Sequence, residues 1–144
     1  MPVQIIMTEG LISKETAQKL HKDVGEVFLD VHGISGNTFM LPNVIGEVIF
    51  VDKDLTFSGG EVKNIAIVEL RVPSFTFGEQ EQKDTFVTRV TDIVLKATDG
   101  KLPIENIWVN AVYAVEGIWG IAGKAYTNEE LGEAIGKAAE SKTA

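Results

Sequence analysis

Two residues in this chain stand where their chemistry is usable: a proline directly behind the first methionine and an arginine at the end of a strand-like run. Pro2 opens the β-rich stretch Val3-Gln4-Ile5-Ile6-Met7. Removal of Met1, favoured when the next residue is small, leaves a secondary amine at the chain start, held by a strand. A free α-amino group titrates at about pH 8, and burial or a nearby cation lowers that value by disfavouring the charged form. Such an amine serves as a base near neutral pH. The alternative is that Pro2 only shields an inert terminus, and retention of Met1 turns its nitrogen into an amide with no basicity. Arg71 is one of two arginines and closes Glu69-Leu70-Arg71-Val72. Its plain alternative is a surface ion pair with Glu69 or Glu79, worth little to stability.

Composition narrows the partners. The 144 residues, 44% of them hydrophobic, fit one domain or two fused halves with enough apolar mass for a core. Cysteine is absent, which removes disulfides, thiolate metal sites and cysteine nucleophiles. No apolar run approaches the roughly 20 residues of a membrane span, and no basic segment followed by a long apolar one opens the chain, so a cytoplasmic protein is expected. A net charge of −8 argues against a nucleic-acid surface, which needs clustered Lys and Arg. An anionic substrate must therefore meet a local cation.

The elements that must position these residues read clearly. Ser13 caps a helix running to about Val31, with Ala17, Leu20, Val24, Val27, Phe28 and Val31 recurring at helical steps. Gly33 stops it. Asn43 to Val51 reads as a strand, and Asp52 to Gly60 as turns. The pattern then restarts: a strand over Ile65 to Val72, a helix over Glu79 to Ala97 with Phe86, Val90, Ile93, Val94 and Ala97 inward, and a strand over Asn106 to Val115. A short helix from Asn128 to Ala139, capped by Thr127 or Asn128, closes the sequence.

At a constant shift the halves superimpose, Val24 over Val87, Val27 over Val90, Val31 over Val94, Asn43 over Asn106, Phe50 over Tyr113 and Gly60 over Gly123. This describes a duplicated βαβ unit within a single domain over 1–144, with halves at about 1–62 and 63–126 and the last helix at 128–139. Two right-handed βαβ units related by a pseudo-twofold axis give an α/β (α+β) fold: one four-stranded mixed sheet with two helices on one face. Strands such as Ile65-Ala66-Ile67-Val68 are apolar at consecutive positions, as when both faces are covered. With too few helices for the second face, association into an oligomer is expected.

These residues resemble the tautomerase superfamily, whose members begin with a catalytic proline and fold as paired βαβ units assembled into a trimer. The resemblance spans nearly the whole chain. It is carried by Pro2-Val3, Phe39 within Gly36 to Met40, Glu81-Gln82-Lys83, Ile107-Trp108-Val109 and Trp119 to Gly123. The nearest branches by chain length are those of malonate semialdehyde decarboxylase and cis-3-chloroacrylic acid dehalogenase. The resemblance implies that Pro2 is the catalytic base and that Arg71 grips a substrate carboxylate through a bidentate pair, lowering the Pro2 pKa as it does so. Both branches carry a second arginine shortly after the first, where this chain reads Val72-Pro73-Ser74-Phe75-Thr76-Phe77.

By the same resemblance Asn37 falls where the decarboxylase has an assisting carboxylate, so it becomes a candidate to polarise a substrate carbonyl, against a plain turn role in Gly36-Asn37. Tyr113, Glu116, Trp119 and Phe39 are candidate pocket residues. Glu116 stands near the dehalogenase's water activator, or else is a solvated turn charge. His21 and His32 lack a third ligand for a metal, and His32 as an imidazolium would suit a helix C-terminus. The Gly-rich pieces Ser58 to Gly60 and Gly117 to Gly123 lack a nucleotide-loop context and read as turns.

The expected activity is cofactor-free keto-enol tautomerisation of a small enol or α-keto carboxylate by a homotrimer, with Pro2 moving the proton, Arg71 anchoring and Asn37 assisting. One alternative is decarboxylation, hydration or dehalogenation of a three-carbon acid. Another is a non-enzymatic trimeric binding module on the same fold.

Overall fold

A run of alternating apolar residues, Pro2–Thr8, forms the first strand, β1, and lies inside the sheet rather than at its edge. The computed structural model describes residues 1–141. After β1 come helix α1 (Lys14–Val31), strand β2 (Ile45–Val51), a small hairpin of β3 (Phe57–Ser58) and β4 (Glu61–Val62), and strand β5 (Ala66–Pro73). Helix α2 (Gln80–Ala97), strand β6 (Ile107–Ala114), a second hairpin of β7 (Trp119–Ile121) and β8 (Lys124–Tyr126), and helix α3 (Asn128–Glu140) complete the chain. The sheet order is β2-β1-β5-β6. β1 runs parallel to β2 and β5 parallel to β6, while β1 and β5 meet antiparallel. This is the expected mixed sheet built from two βαβ units.

Capping follows the sequence. The Ser13 hydroxyl accepts from the Thr16 amide at 3.1 Å, and Thr127, not Asn128, caps α3, its hydroxyl accepting from the Glu130 amide at 3.1 Å. Leu20, Val24 and Phe28 of α1 and Phe86, Val90 and Val94 of α2 are buried. They join Val3, Ile5 and Met7 of β1 and Val68, Leu70 and Val72 of β5 in one core. The proposed helix overlays, Val24 over Val87, Val27 over Val90 and Val31 over Val94, do not hold here. Val24 is fully buried and its expected counterpart Val87 is 42% exposed, because the two 18-residue helices start at Lys14 and Gln80 and match core to core as Val24 over Val90.

The face away from this core has three rows of side chains, set by the register. Ile49, Ile6, Ile67 and Trp108 form one apolar row, and Glu47, Gln4, Glu69 and Asn110 a polar one. The third row holds Ile45, Pro2, Arg71 and Val112, Pro2 standing one rung beyond the Val3–Leu70 pair. Ile45, Trp108 and Val112 are exposed, Trp108 by 63%. Edge strand β2 approaches β1 closely at Gly46, where a Cβ would fall 1.8 Å from the Val3 carbonyl oxygen. Among the described residues no helix is long and apolar enough to cross a membrane.

Candidate active site

The antiparallel register of β1 and β5 decides what stands beside Pro2. Because strand neighbours on one face lie only about 5 Å apart, the Arg71 backbone is the cross-strand neighbour of Pro2 on the open face. β6 runs parallel on the far side of β5, so its C-terminal end arrives at the same place. The β7–β8 hairpin then folds over it. Together they enclose a cavity of about 410 Å³ lined by Met1, Pro2, Arg71, Tyr113, Ile118 and Trp119 among others. Four residues singled out in the sequence therefore share one cavity: Pro2, Arg71, Tyr113 and Trp119.

Its electrostatics are simple. The Arg71 Nε lies 3.6 Å from Glu69 Oε1, and the Arg71 side chain stays 55% exposed, so its guanidinium edge remains open to an anion. The ion pair foreseen as the plain alternative does form, with Glu69 as partner, but at an exposed site it is worth little. The Tyr113 hydroxyl donates to the Thr76 carbonyl at 2.9 Å, which fixes the ring at the cavity wall. Met1 itself is buried. Burial pushes its amine from the ordinary 8.0 down to about 6, and that amine donates to the Asn43 carbonyl.

The other sequence candidates lie elsewhere. Asn37 is buried, and its amide is engaged at both ends: Nδ2 donates to the Ile135 carbonyl at 3.0 Å, while Oδ1 accepts from the amides of Phe39 at 3.1 Å and Met40 at 3.0 Å. It ties the segment after α1 to α3 and does not line the cavity, so the turn role is the one its bonds express. Phe39 packs edge-on to Tyr126 with ring centroids 6.1 Å apart, outside the cavity. Glu116 accepts from the Asn128 amide at 2.9 Å. That contact adds a carboxylate to the N-terminus of α3, where the helix dipole favours it. Lys124, the lysine of the β7–β8 hairpin, is engaged with Glu130 at 3.2 Å and lies 4.5 Å from the Tyr126 ring centroid.

Both histidines have structural partners that the sequence left unread. His21 reaches through the space left by Gly46 and its Nε2–H donates to the Val3 carbonyl at 3.2 Å, bracing β1 next to Pro2. His32 is a correction to the imidazolium reading. Its Nε2 accepts from the Phe77 amide at 3.3 Å and its Nδ1–H donates to the Phe28 carbonyl at 2.8 Å, an arrangement only the neutral ring can make. Burial among Phe28 and Phe77 correspondingly holds its pKa below 6.5, against the opposing pull of the Phe28 carbonyl.

No protein-family model matches this sequence, and no curated protein matches it. Solved structures do. A fused 4-OT wild type, a symmetric trimer, superposes with a TM-score of 0.74 at 14% identity over 92% of this chain and 99% of its own. The structure of Pt0534 inactivated by 2-oxo-3-pentynoate gives 0.72 at 16% identity, covering 87% of this chain and 96% of its own. Macrophage migration inhibitory factor of Toxoplasma gondii gives 0.69 at 11% identity over 88% and 100%. The fold is thus the one these three structures share. Identities this low speak for fold alone.

Proposed function

We propose that this chain, with Met1 removed, is a tautomerase-superfamily enzyme that moves a proton on a small enol or α-keto carboxylate, working as a homotrimer in the cytoplasm. The observation that carries the reading is the pairing of Pro2 with Arg71 on one row of the sheet and in one cavity. Pro2 takes a proton from the enol hydroxyl, or from the carbon α to the carbonyl, and the protonated amine returns it at the other position. Arg71 holds the carboxylate and disfavours a second positive charge on Pro2. Asn37 is committed to bonds within the fold and the Tyr113 hydroxyl to the Thr76 carbonyl, so a carbonyl-polarising group must come from backbone or from a neighbouring subunit.

Trimerisation is supported by the exposed apolar rows on the open sheet face, which ordinary monomers do not leave bare at this extent, and by the trimeric state of the fused 4-OT neighbour. The binding-module reading is favoured by one observation, the burial of Met1, since a chain that keeps Met1 has no base. Ketonisation of a 2-hydroxy-dienoate or phenylenolpyruvate by the chain starting at Pro2 separates the two. Activity rising along a basic limb is expected, and no ketonisation above buffer by a confirmed, processed trimer overturns the enzyme reading.

A further inference from the structure

Chain termini usually fray, yet Met1 is only 4% exposed. β1 is internal to the sheet, so the first peptide units are held from both sides: Pro2 pairs with Ile45 and Val3 with both Gly46 and Leu70. The Ile45 amide donates to the Met1 carbonyl at 3.1 Å, and the Met1 amine donates to the Asn43 carbonyl. The Met1 side chain belongs to the buried core and borders an apolar slot formed by Phe28, Met40, Phe75, Trp119, Leu131 and Ile135, the last two supplied by α3. The slot itself is small, about 60 Å³.

A methionine aminopeptidase must hold three features of its substrate: the free amine, the methionine side chain, and the carbonyl of the bond it cuts. Water adds across the Met1–Pro2 amide, methionine leaves with a new carboxylate, and the Pro2 nitrogen gains a proton. Here all three features are engaged within the fold, and reaching them means unzipping the end of an internal strand and withdrawing a side chain from beneath α3. Such openings cost free energy in proportion to the contacts broken.

We propose that Met1 is an internal plug: it is packed into the core beside the slot that α3 closes, so that the folded chain resists methionine removal, and the choice between a blocked Pro2 nitrogen and a free Pro2 amine is made before folding. The plug ties two properties together. A chain that folds with Met1 keeps a well-packed core and an inert Pro2 amide, whereas a chain trimmed earlier exposes its amine and leaves a void where a methionine side chain packed. The consequence for activity rests on the reading of Pro2 as the working base; the plug itself does not.

The test is made on the full chain and read by intact mass. In cell-free translation with an active methionine aminopeptidase present throughout, chains starting at Pro2 are expected. When the same peptidase is added after folding, trimming is expected to be slower by roughly 100-fold or more, the scale set by sub-global opening. Equal trimming in the two arms overturns the proposal, and so does retention of Met1 in both. Leu131→Ala, or the milder Ile135→Ala should the first not fold, opens the slot and is expected to speed trimming after folding more than Val94→Ala, a core change that lines no part of the slot. Equal acceleration by both would show that global unfolding, and no plug, controls access. The trimmed chain should also melt lower by roughly 5–15 °C, as for loss of a buried methionine side chain; an unchanged melting temperature counts against the plug. Because mass and melting are the readouts, failure of the ketonisation assay on the Pro2-starting chain leaves this result standing, and the reverse holds too.

Discussion

β1 and β5 are the two central strands of one duplicated design, and their neighbourhoods are finished in opposite ways. At the start of β5, Thr8 of β1 closes the corner: its hydroxyl accepts from the Ile65 amide at 2.9 Å and donates to Thr56 Oγ1 at 2.9 Å, and Thr56 donates in turn to the Lys63 carbonyl at 2.7 Å. Both hydroxyls there have partners within 3 Å. At the start of β1 the corresponding strand-end position holds Arg71, whose only ion pair among the described residues is a loose one at 3.6 Å, and a cavity opens between it and the β7–β8 hairpin. Hydrogen bonds seal one end. The other is left with a loosely paired, exposed cation beside an open cavity. Duplication therefore supplied two equivalent corners, of which one stabilises and one is free for chemistry.

The sharpest way to break this contrast is at Pro2. In the trimmed chain, Pro2→Ala should cost kcat about 10²–10⁴-fold, the usual worth of a positioned general base, with KM changed less because the anchor survives. Steady-state kinetics on the ketonisation reaction check it. Arg71→Ala comes next. Loss of a charge-assisted contact of about 1.5–3 kcal/mol should raise KM by roughly 10- to 100-fold, read from the same assay.

The sealed corner should respond the other way round. Thr8→Val strips the acceptor from the Ile65 amide and the donor from Thr56, and is expected to cost about 1–3 kcal/mol of stability in denaturant titration while leaving ketonisation rates intact. A large loss of activity with normal stability would erase the distinction between the corners.

The smallest effect concerns pH. Burial holds the folded-state pKa of His32 below its ordinary 6.5, so the folded chain binds fewer protons than the unfolded one in that window. Stability is then full above pH 6.5 and falls as the pH drops through the folded-state value. Comparing acid denaturation of the parent with His32→Gln checks this: the variant should show a shallower acid limb in that window.

Much of this was legible in local sequence. Helices α1 and α2, their apolar faces, the Ser13 cap and all four sheet strands follow from periodicity and punctuation, since those signals are encoded within a few residues. Pro2, Arg71, Tyr113 and Trp119 fall together because strand order and register place them so, and the duplication made that order readable. What escaped depends on contacts between distant residues. The Asn37 amide is consumed by Ile135 in a helix far along the chain, and nothing near Asn37 announces that partner. His32 is neutral because Phe77, across the core, points an amide at it. The role of His21 needs Gly46, whose missing side chain reads in the sequence only as a weak spot in a strand. Met1 looked like a terminus to be discarded, and only the internal position of β1 reveals that it is packed.

The central claim is that the Pro2 amine is a base tuned by Arg71. Titration of the Pro2 nitrogen by ¹⁵N NMR in the trimmed chain and in its Arg71→Ala variant tests it directly. A Pro2 pKa below that of an ordinary chain-terminal amine, about 8, and rising when Arg71 is removed, is the predicted result. A Pro2 amine with the ordinary value, unmoved by Arg71→Ala, would contradict the account and place Arg71 outside the site.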